Sequence, residues 1–163
     1  MEYAELHCHT NYSFHEGASS IGELLIRAEA LDYPALAITD HDNLCGAMAF
    51  ARAASDLDVR PIIGAEVTLK GGSHLTLLAE TQKGYANLCR LVSYSHFDGD
   101  RRAPQLDPKR LTEHAEGVIL LTGCRHGRLA TAIGERRSET ARQVLGDYVE
   151  WFGIDNVFVE LQQ

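Results

Sequence analysis

The hydrophobic pattern along the chain predicts strands that alternate with helices. Residues 3–9 alternate between apolar and polar, which predicts an opening strand with His7 and His9 on one face. Short apolar runs at 35–39 and 118–122 are typical of buried strands, and further strands are predicted at 60–69, 74–79 and 156–161.

Helical periodicity and capping signals predict the connecting helices. Ser20 and Glu23 have the spacing of a capping box, and Asp107-Pro108 is typical of a helix start. The predicted helices lie at 21–31, 43–54, around 85–92, 107–117 and 138–152, and residues 96–105 are predicted to be a surface loop. Without a long linker or internal repeat, this alternation predicts a single α/β domain over 1–163 with a mostly parallel sheet or barrel.

The length and composition suit one globular domain. The chain has 163 residues, of which 45% are hydrophobic, enough to bury a core. No apolar run approaches the length of a membrane span, and the opening strand leaves no room for a signal peptide. We therefore predict a cytoplasmic protein with no membrane association.

The four cysteines lie far apart in the sequence. They form no C-x-x-C pair, so neither a disulfide framework nor a zinc knuckle is predicted. Cys8, Cys45 and Cys89 are interpreted as buried thiols. Cys124 follows the predicted strand 118–122 and is a candidate ligand.

The net charge of −8 argues against this domain binding a nucleic-acid backbone by itself. The pairs Arg101-Arg102 and Arg136-Arg137 are interpreted as solvated. An acidic chain can still hold metals, since a site for several divalent cations needs carboxylates.

Histidines are concentrated near the start of the chain. His7, His9, His15 and Glu16 fall within ten residues. Two imidazoles at i and i+2 on a strand can both face one cation, with His15 or Glu16 as the next ligand. The alternative is a pair of solvated histidines on an edge strand.

Other polar residues come at strand ends, where α/β folds concentrate their chemistry. His41 follows the strand 35–39, His74 begins the strand 74–79, and Cys124 follows the strand 118–122. We expect His41 and Cys124 to converge with His7 and His9 on one rim.

With these residues in place, the chain resembles the PHP family, the polymerase and histidinol phosphatase domains. It is most similar to the copy at the N-terminus of bacterial C-family DNA polymerase III alpha subunits, and segments 123–127 and 151–161 resemble the error-prone type. The motifs run in family order over nearly the whole chain: His7-Cys8-His9-Thr10, Thr39-Asp40-His41, Gly64-Ala65-Glu66, His74-Leu75-Thr76-Leu77-Leu78-Ala79, Gly84-Tyr85 with Leu88, and Leu121-Thr122-Gly123-Cys124.

The resemblance implies a distorted TIM-like barrel of seven β/α units that holds up to three divalent metals, Zn²⁺ or Mn²⁺, for phosphoester hydrolysis. It implies that His7, His9 and Glu66 hold a first metal and are central to catalysis. Glu66 would bridge to a second metal completed by His74 and Cys124. His41 and either His15 or Glu16 would hold a third.

The sequence departs from the family pattern at three places. Polymerase copies usually carry Asp where Glu16 stands, and His15 has the spacing of a phosphatase ligand, so both alternatives stay open. Cys124 stands where phosphatases often use His, which favours zinc. The Asp-x-His motif that ends complete members does not follow Cys124. We therefore expect a domain truncated before its last ligands, with little activity of its own.

The leading hypothesis is a metal-dependent phosphoesterase domain of an error-prone polymerase, with possible 3′ to 5′ exonuclease action. Its partners would be DNA through the full polymerase, the other polymerase domains, and a phosphoester at the metal rim. One rival is a noncatalytic scaffold that stabilises the polymerase. Another is a stand-alone phosphatase for a small phosphomonoester.

Several polar residues have ordinary interpretations beside the functional ones. His96, His114 and His126 are predicted to be solvated. Arg125 with His126 is interpreted as a surface loop, with phosphate contact as the alternative. Asp40 and Asp42 flank His41, where they can either orient an imidazole or cap the local backbone.

Overall fold

A computed structural model describes residues 3–100 and 103–161, so the predicted basic pair Arg101-Arg102 lies outside the described residues. The helices are α1 (Ile21–Ala30), α2 (Ala47–Ala53), α3 (Gln82–Asp98), α4 (Lys109–Glu113), α5 (Arg128–Gly134) and α6 (Ser138–Phe152). The strands are β1 (Ala35–Ile38), β2 (Arg60–Thr68), β3 (His74–Ala79), β4 (Val118–Leu121) and β5 (Val157–Phe158). Short 3₁₀ turns occupy Ala54–Asp56 and Ile154–Asn156.

The strands form one mixed sheet in the order β1-β2-β3-β4-β5. The pairs β1–β2 and β4–β5 are parallel, whereas β3 is antiparallel to both neighbours. The predicted α/β class is confirmed, but the prediction of a mostly parallel sheet is wrong at β3. Gly71 and Gly72 adopt positive φ angles of 99° and 84°, and this tight turn folds β3 directly back along β2.

The opening segment is less regular than its alternation predicts. Glu5 forms an isolated parallel bridge with Leu36 of β1, and the chain bends at His7. Leu6 packs against Ala37, Leu78 and Leu121, whereas Cys8 packs with the core of α1 and α2. The bend therefore sends these two apolar side chains into different clusters, which a continuous strand would not do.

The sheet curls so that its two ends approach each other. The segment 3–9 extends the sheet beside β1, and β5 forms the opposite edge. His7 nevertheless contacts Glu160, just beyond β5, at 2.6 Å between Nδ1 and Oε1. A cleft of about 1560 Å³ is lined by residues 3–7 and 158–161, together with parts of β2, β3 and β4.

The helices cover the outside of this sheet. The largest core cluster joins β2, β3 and β4 to α3, α4 and α6, with Tyr148 fully buried. A second cluster joins β1 to α1 and α2 around Phe50. No helix within the described ranges has the length and apolar character that crossing a membrane requires.

Some predicted boundaries differ from the structure. Helix α3 continues to Asp98, so the predicted loop at 96–105 is wrong over its first residues. Residues 43–46 form a turn in which Cys45 N donates to Asn43 Oδ1, and α2 therefore begins late. Cys45 is exposed in this turn, so its prediction as a buried thiol is wrong. Helix α5 has no counterpart among the predicted elements.

Candidate metal centre

Glu66 of β2 is the centre of a cluster of histidines. Its side chain is only 2% exposed. Its Oε1 lies 2.8 Å from His74 Nδ1 and 3.0 Å from His41 Nδ1, and its Oε2 lies 2.8 Å from His7 Nε2. His9 Nε2 is 4.0 Å from Oε1. A single buried carboxylate is therefore surrounded by four imidazoles from three parts of the chain.

This arrangement fits divalent cations. Two groups bring their ligand atoms within 4.8 Å of one another, His7 with His9 and Glu66, and His41 with Glu66 and His74. His9 Nε2 is buried and has no hydrogen-bond partner among the described residues, as expected for an atom whose natural partner is a cation. Imidazole nitrogens with a carboxylate are the ligands that zinc and related metals take in proteins.

The protonation of the cluster follows from its contacts. Burial opposes protonation of the His7 ring, but hydrogen bonds to Glu160 and Glu66 outweigh it and raise the pKa of His7 to about 10. Cys124 and Glu66 raise the pKa of His74 to about 10. Burial raises the pKa of Glu66, yet the surrounding histidines hold that pKa well below its usual range.

His9 differs from His7, His41 and His74, because burial lowers its pKa and no side-chain hydrogen bond offsets this effect. Its ring is therefore the one most readily kept neutral near pH 7. Metal binding requires neutral imidazoles, so a cation entering the cluster would displace protons from His7 and His74.

Glu160 and Thr76 orient His7, and sequence reasoning missed both. Glu160 Oε1 lies 2.6 Å from His7 Nδ1, and Thr76 Oγ1 lies 3.3 Å from the same nitrogen. A carboxylate on one ring nitrogen directs the other, here Nε2, towards the ligand cluster. The available signal was the position of Glu160 at the end of the last predicted strand, like the other polar residues at strand ends.

Asp42 and Thr68 orient His41 in a similar way. Thr68 Oγ1 lies 3.0 Å from His41 Nε2, and Asp42 Oδ2 lies 3.3 Å from it. Asp42 also accepts hydrogen bonds from the backbone and hydroxyl of Thr68. Of the two alternatives for Asp42, the structure supports contact with the imidazole, whereas the backbone group that it binds is 26 positions away in the sequence and is not local.

Asp40 has a different role, because its buried carboxylate holds the loop 10–17. It accepts hydrogen bonds from Thr10 N at 2.7 Å, Thr10 Oγ1 at 2.8 Å and Ser13 Oγ at 2.7 Å. Gly17 closes the same loop, where a Cβ would lie 2.0 Å from Thr10 O. Neither alternative for Asp40 describes these contacts, because they join it to residues 27 and 30 positions away in the sequence.

The loop presents Glu16, rather than His15, to the cluster. Glu16 Oε2 lies 3.5 Å from His9 Nδ1 and 3.8 Å from His41 Nδ1. Both His15 and Glu16 are exposed and outside the two groups of candidate ligands found among the described residues, but the ion-pair contacts with His9 and His41 are made by Glu16. The geometry therefore favours the carboxylate at this position.

Cys124 reaches the same rim from the end of β4. Its Sγ lies 3.7 Å from His74 Nδ1, and the backbone N–H of His126 donates to it at 3.4 Å. His126 itself is exposed, and its ring centroid lies 5.4 Å from that of His74. The predicted convergence of strand-end residues thus includes the thiol.

The remaining histidines lie away from the ligand atoms. His96 is exposed, although its Nε2 contacts the Asp42 carbonyl at 2.7 Å. His114 stacks on Tyr94 with 5.5 Å between ring centroids, and its Nε2 is buried. His114 is partly buried, so the prediction that it is solvated is wrong only for the part of the ring that Tyr94 covers.

Comparisons with known proteins agree with the motifs. The family model for the PHP domain matches residues 5–163. The chain is 42% identical to an error-prone DNA polymerase of Mycolicibacterium paratuberculosis, covering 99% of this chain and 16% of that protein. It is 36% identical to a DNA polymerase III subunit alpha of Treponema pallidum, covering 99% of this chain and 15% of that protein. The chain thus spans about 16% of the length of the curated relatives it matches.

One solved structure with a similar fold is an amidohydrolase from Chromobacterium violaceum with bound sulfate and no metal. The two chains are 25% identical with a TM-score of 0.49, and the similar part covers 68% of this chain and 37% of the other.

Proposed function

Because the chain belongs to the PHP domain family, we propose that its cluster binds divalent metals and hydrolyses phosphoesters as one domain of a longer, error-prone DNA polymerase III alpha subunit. The observation that carries this proposal is Glu66, a buried carboxylate common to two groups of candidate ligands. Such a bridging carboxylate is typical of sites that hold neighbouring cations.

The proposed ligand sets follow the motifs. His7, His9 and Glu66 hold the first metal, and Glu66, His74 and Cys124 hold the second. His41 and Glu16 hold the third, supported by the 3.8 Å between Glu16 Oε2 and His41 Nδ1. His41 also lies against Glu66, so it is within reach of the second set as well. The thiol of Cys124 favours zinc over manganese at its position.

The chain's own residues define what the site can do. Bound divalent metals would lower the pKa of a water molecule and neutralise charge that develops on phosphoryl oxygens. Glu66 supplies the buried negative charge that attracts the cations, and Glu160 and Thr76 hold the His7 ring so that Nε2 faces them. Asp40 fixes the loop that carries Glu16.

We further propose that the domain to which this chain belongs folds as the distorted barrel of seven β/α units that the family resemblance implies. The approach of His7 to Glu160 across the two ends of the curled sheet supports it. In this proposal, β/α units beyond residue 163 occupy the cleft between residues 3–7 and 158–161. They would also bring the Asp-x-His ligands of the first and third metals.

DNA and the other polymerase domains would be the partners, and a cytoplasmic location stays a prediction.

The activity is tested by comparing residues 1–163 with a version extended through the Asp-x-His segment. With Mn²⁺ or Zn²⁺, we expect the short chain to release little product from p-nitrophenyl phosphate or from single-stranded DNA labelled at its 3′ end. Its first and third ligand sets are incomplete, and small misplacements are costly in rate. The extended chain should be active, and His9→Ala should abolish that activity.

The outcomes separate the competing functions. Rapid turnover by the short chain would show that Asp-x-His is dispensable. An extended chain that is fully metallated yet inert would instead favour the scaffold function. Preference for p-nitrophenyl phosphate, with no action on DNA, would favour the stand-alone phosphatase.

The third metal position gives a separate prediction. We expect Glu16→Ala to lower the metal stoichiometry, whereas His15→Ala leaves it unchanged, because only Glu16 approaches His9 and His41. Elemental analysis after metal loading and desalting measures the difference, and the two variants serve as matched controls for each other. Loss of metal from His15→Ala alone would transfer the ligand role to the histidine.

A further inference from the structure

A second depression of about 330 Å³ opens beside the metal cluster, on the side of Cys124. The turn between β2 and β3 forms one part of it, and the start of α5 and of α6 forms the other. Its lining includes the basic residues Arg128 and Arg137 and the hydroxyl-bearing residues Ser73, Thr131 and Thr140. Within residues 3–100 and 103–161, none of the lining residues carries a carboxylate, although the whole chain has a net charge of −8.

The depression is connected to the metal cluster through His126. This residue lines the depression, and its ring centroid lies 5.4 Å from that of the candidate ligand His74. The backbone fixes the connection, because His74 N donates to His126 O at 3.2 Å and His74 forms a bridge with Gly127. A ligand group in the depression would therefore be one imidazole away from the metal site.

The two arginines retain donors for an anion. Arg128 Nη2 lies 3.4 Å from Asp147 Oδ2, and Arg137 pairs with Glu135. Both carboxylates lie outside the lining, and a guanidinium offers five N–H donors, more than one such contact uses. The arginine side chains are 37% and 55% exposed, so solvent and ligands can reach them.

We propose that this depression binds a backbone phosphate of a single-stranded nucleic acid whose scissile phosphoester lies at the metal cluster. The proposal rests on the proposed phosphoesterase function and adds to it a second phosphate-binding site beside the metal cluster. Guanidinium and hydroxyl donors suit a phosphate oxygen, and a site one imidazole away matches a substrate that carries successive phosphates. A free phosphomonoester, with a single phosphate, would occupy only the metal site.

The test is binding of a fluorescein-labelled oligothymidylate to residues 1–163, measured by anisotropy with EDTA present and over a range of salt concentrations. The variant is Arg128→Gln with Arg137→Gln, and the control is Arg142→Gln, an exposed α6 residue outside the depression. We expect about tenfold weaker binding by the double variant, with a salt slope shallower by about 0.7, as for one lost phosphate contact on a single strand. The control should match the wild type.

A second variant distinguishes a loss of binding from a loss of folding. Arg128 contacts Asp147 of α6, so its loss can loosen the packing of α5. Arg137→Gln alone avoids that contact and should still weaken strand binding and lower the slope. Far-ultraviolet circular dichroism and metal content should equal those of the wild type, which shows that the fold and the metal cluster are intact.

The competing results are distinct. Equal affinity and salt slope in wild type and variants, or no binding of the strand by the wild type, would overturn the proposal. Thymidine monophosphate should bind the zinc-loaded variants as well as it binds the wild type. A parallel loss for this mononucleotide would make the depression a site for free phosphate instead. Failure of the phosphoesterase function would appear separately, as absent metal binding or absent hydrolysis.

Discussion

Glu66→Gln is expected to remove most of the metal that the wild-type chain binds. Glutamine keeps the size of the side chain but removes the negative charge that faces His7, His41 and His74. Both groups of candidate ligands contain Glu66, so one substitution weakens two sites together. Loss of a residue that only orients a metal ligand already lowers metal affinity by up to about a hundredfold. Because Glu66 is itself a candidate ligand, we expect metal affinity to fall at least about a hundredfold.

The measurement is elemental analysis after the protein, purified without chelator, has been offered zinc and manganese and then desalted. Glu29→Gln is the matched control, because Glu29 is exposed on α1, away from the cluster. His9→Ala combined with Glu66→Ala should lose nearly all the metal. The metal-site proposal fails if the wild type itself binds less than about one tenth of an equivalent, since structural and catalytic sites of this kind bind tightly.

Asp40→Ala is expected to lower the free energy of unfolding by about 3–5 kcal/mol, because it removes a buried, charged acceptor of three hydrogen bonds. The donors Thr10 N, Thr10 Oγ1 and Ser13 Oγ would lose this partner. Thr10 is 0% exposed and Ser13 is 2% exposed, so water cannot easily replace the lost acceptor. The loop that carries Glu16 should loosen as a result.

Urea unfolding followed by circular dichroism measures this loss. Asp40→Asn keeps one acceptor oxygen and should be less damaging than Asp40→Ala. Asp58→Ala is the control, since Asp58 is exposed, and its effect should stay within about 0.5 kcal/mol. A loss below about 1 kcal/mol for Asp40→Ala would mean that the loop does not depend on this carboxylate.

Much of the fold could be predicted because helix caps and apolar runs are each encoded within a few neighbouring residues. Helix α1 begins at the predicted capping box, in which Ser20 and Glu23 satisfy each other's backbone N–H groups. The apolar run 35–39 is β1, with all four strand residues buried. The position of His41 and Cys124 just after β1 and β4 predicted their convergence, since strand ends meet at one rim.

Two features of the sheet depart from the alternation of strands with helices and from the period-two pattern. The direction of β3 follows from two glycines whose positive φ angles close a hairpin, although the alternation of strands and helices favoured a parallel strand. The chain also bends at His7, against the alternation of 3–9, so that Leu6 and Cys8 enter different cores. Packing on both sides of the sheet outweighs the period-two pattern there.

The sequence by itself determined the α/β class, the positions of the main helices and strands, and the candidate ligands His7, His9, His41, Glu66, His74 and Cys124. Only the tertiary structure favoured Glu16 over His15, because Asp40 holds the loop in the shape that brings Glu16 Oε2 within 3.5 Å of His9 Nδ1. It also placed Glu160 on His7 across 153 positions of sequence, and Arg137 beside Arg128 in one depression. Such contacts come from the curl of the sheet and the packing of α5 on α6, and residues far apart in sequence carry no local signal of meeting.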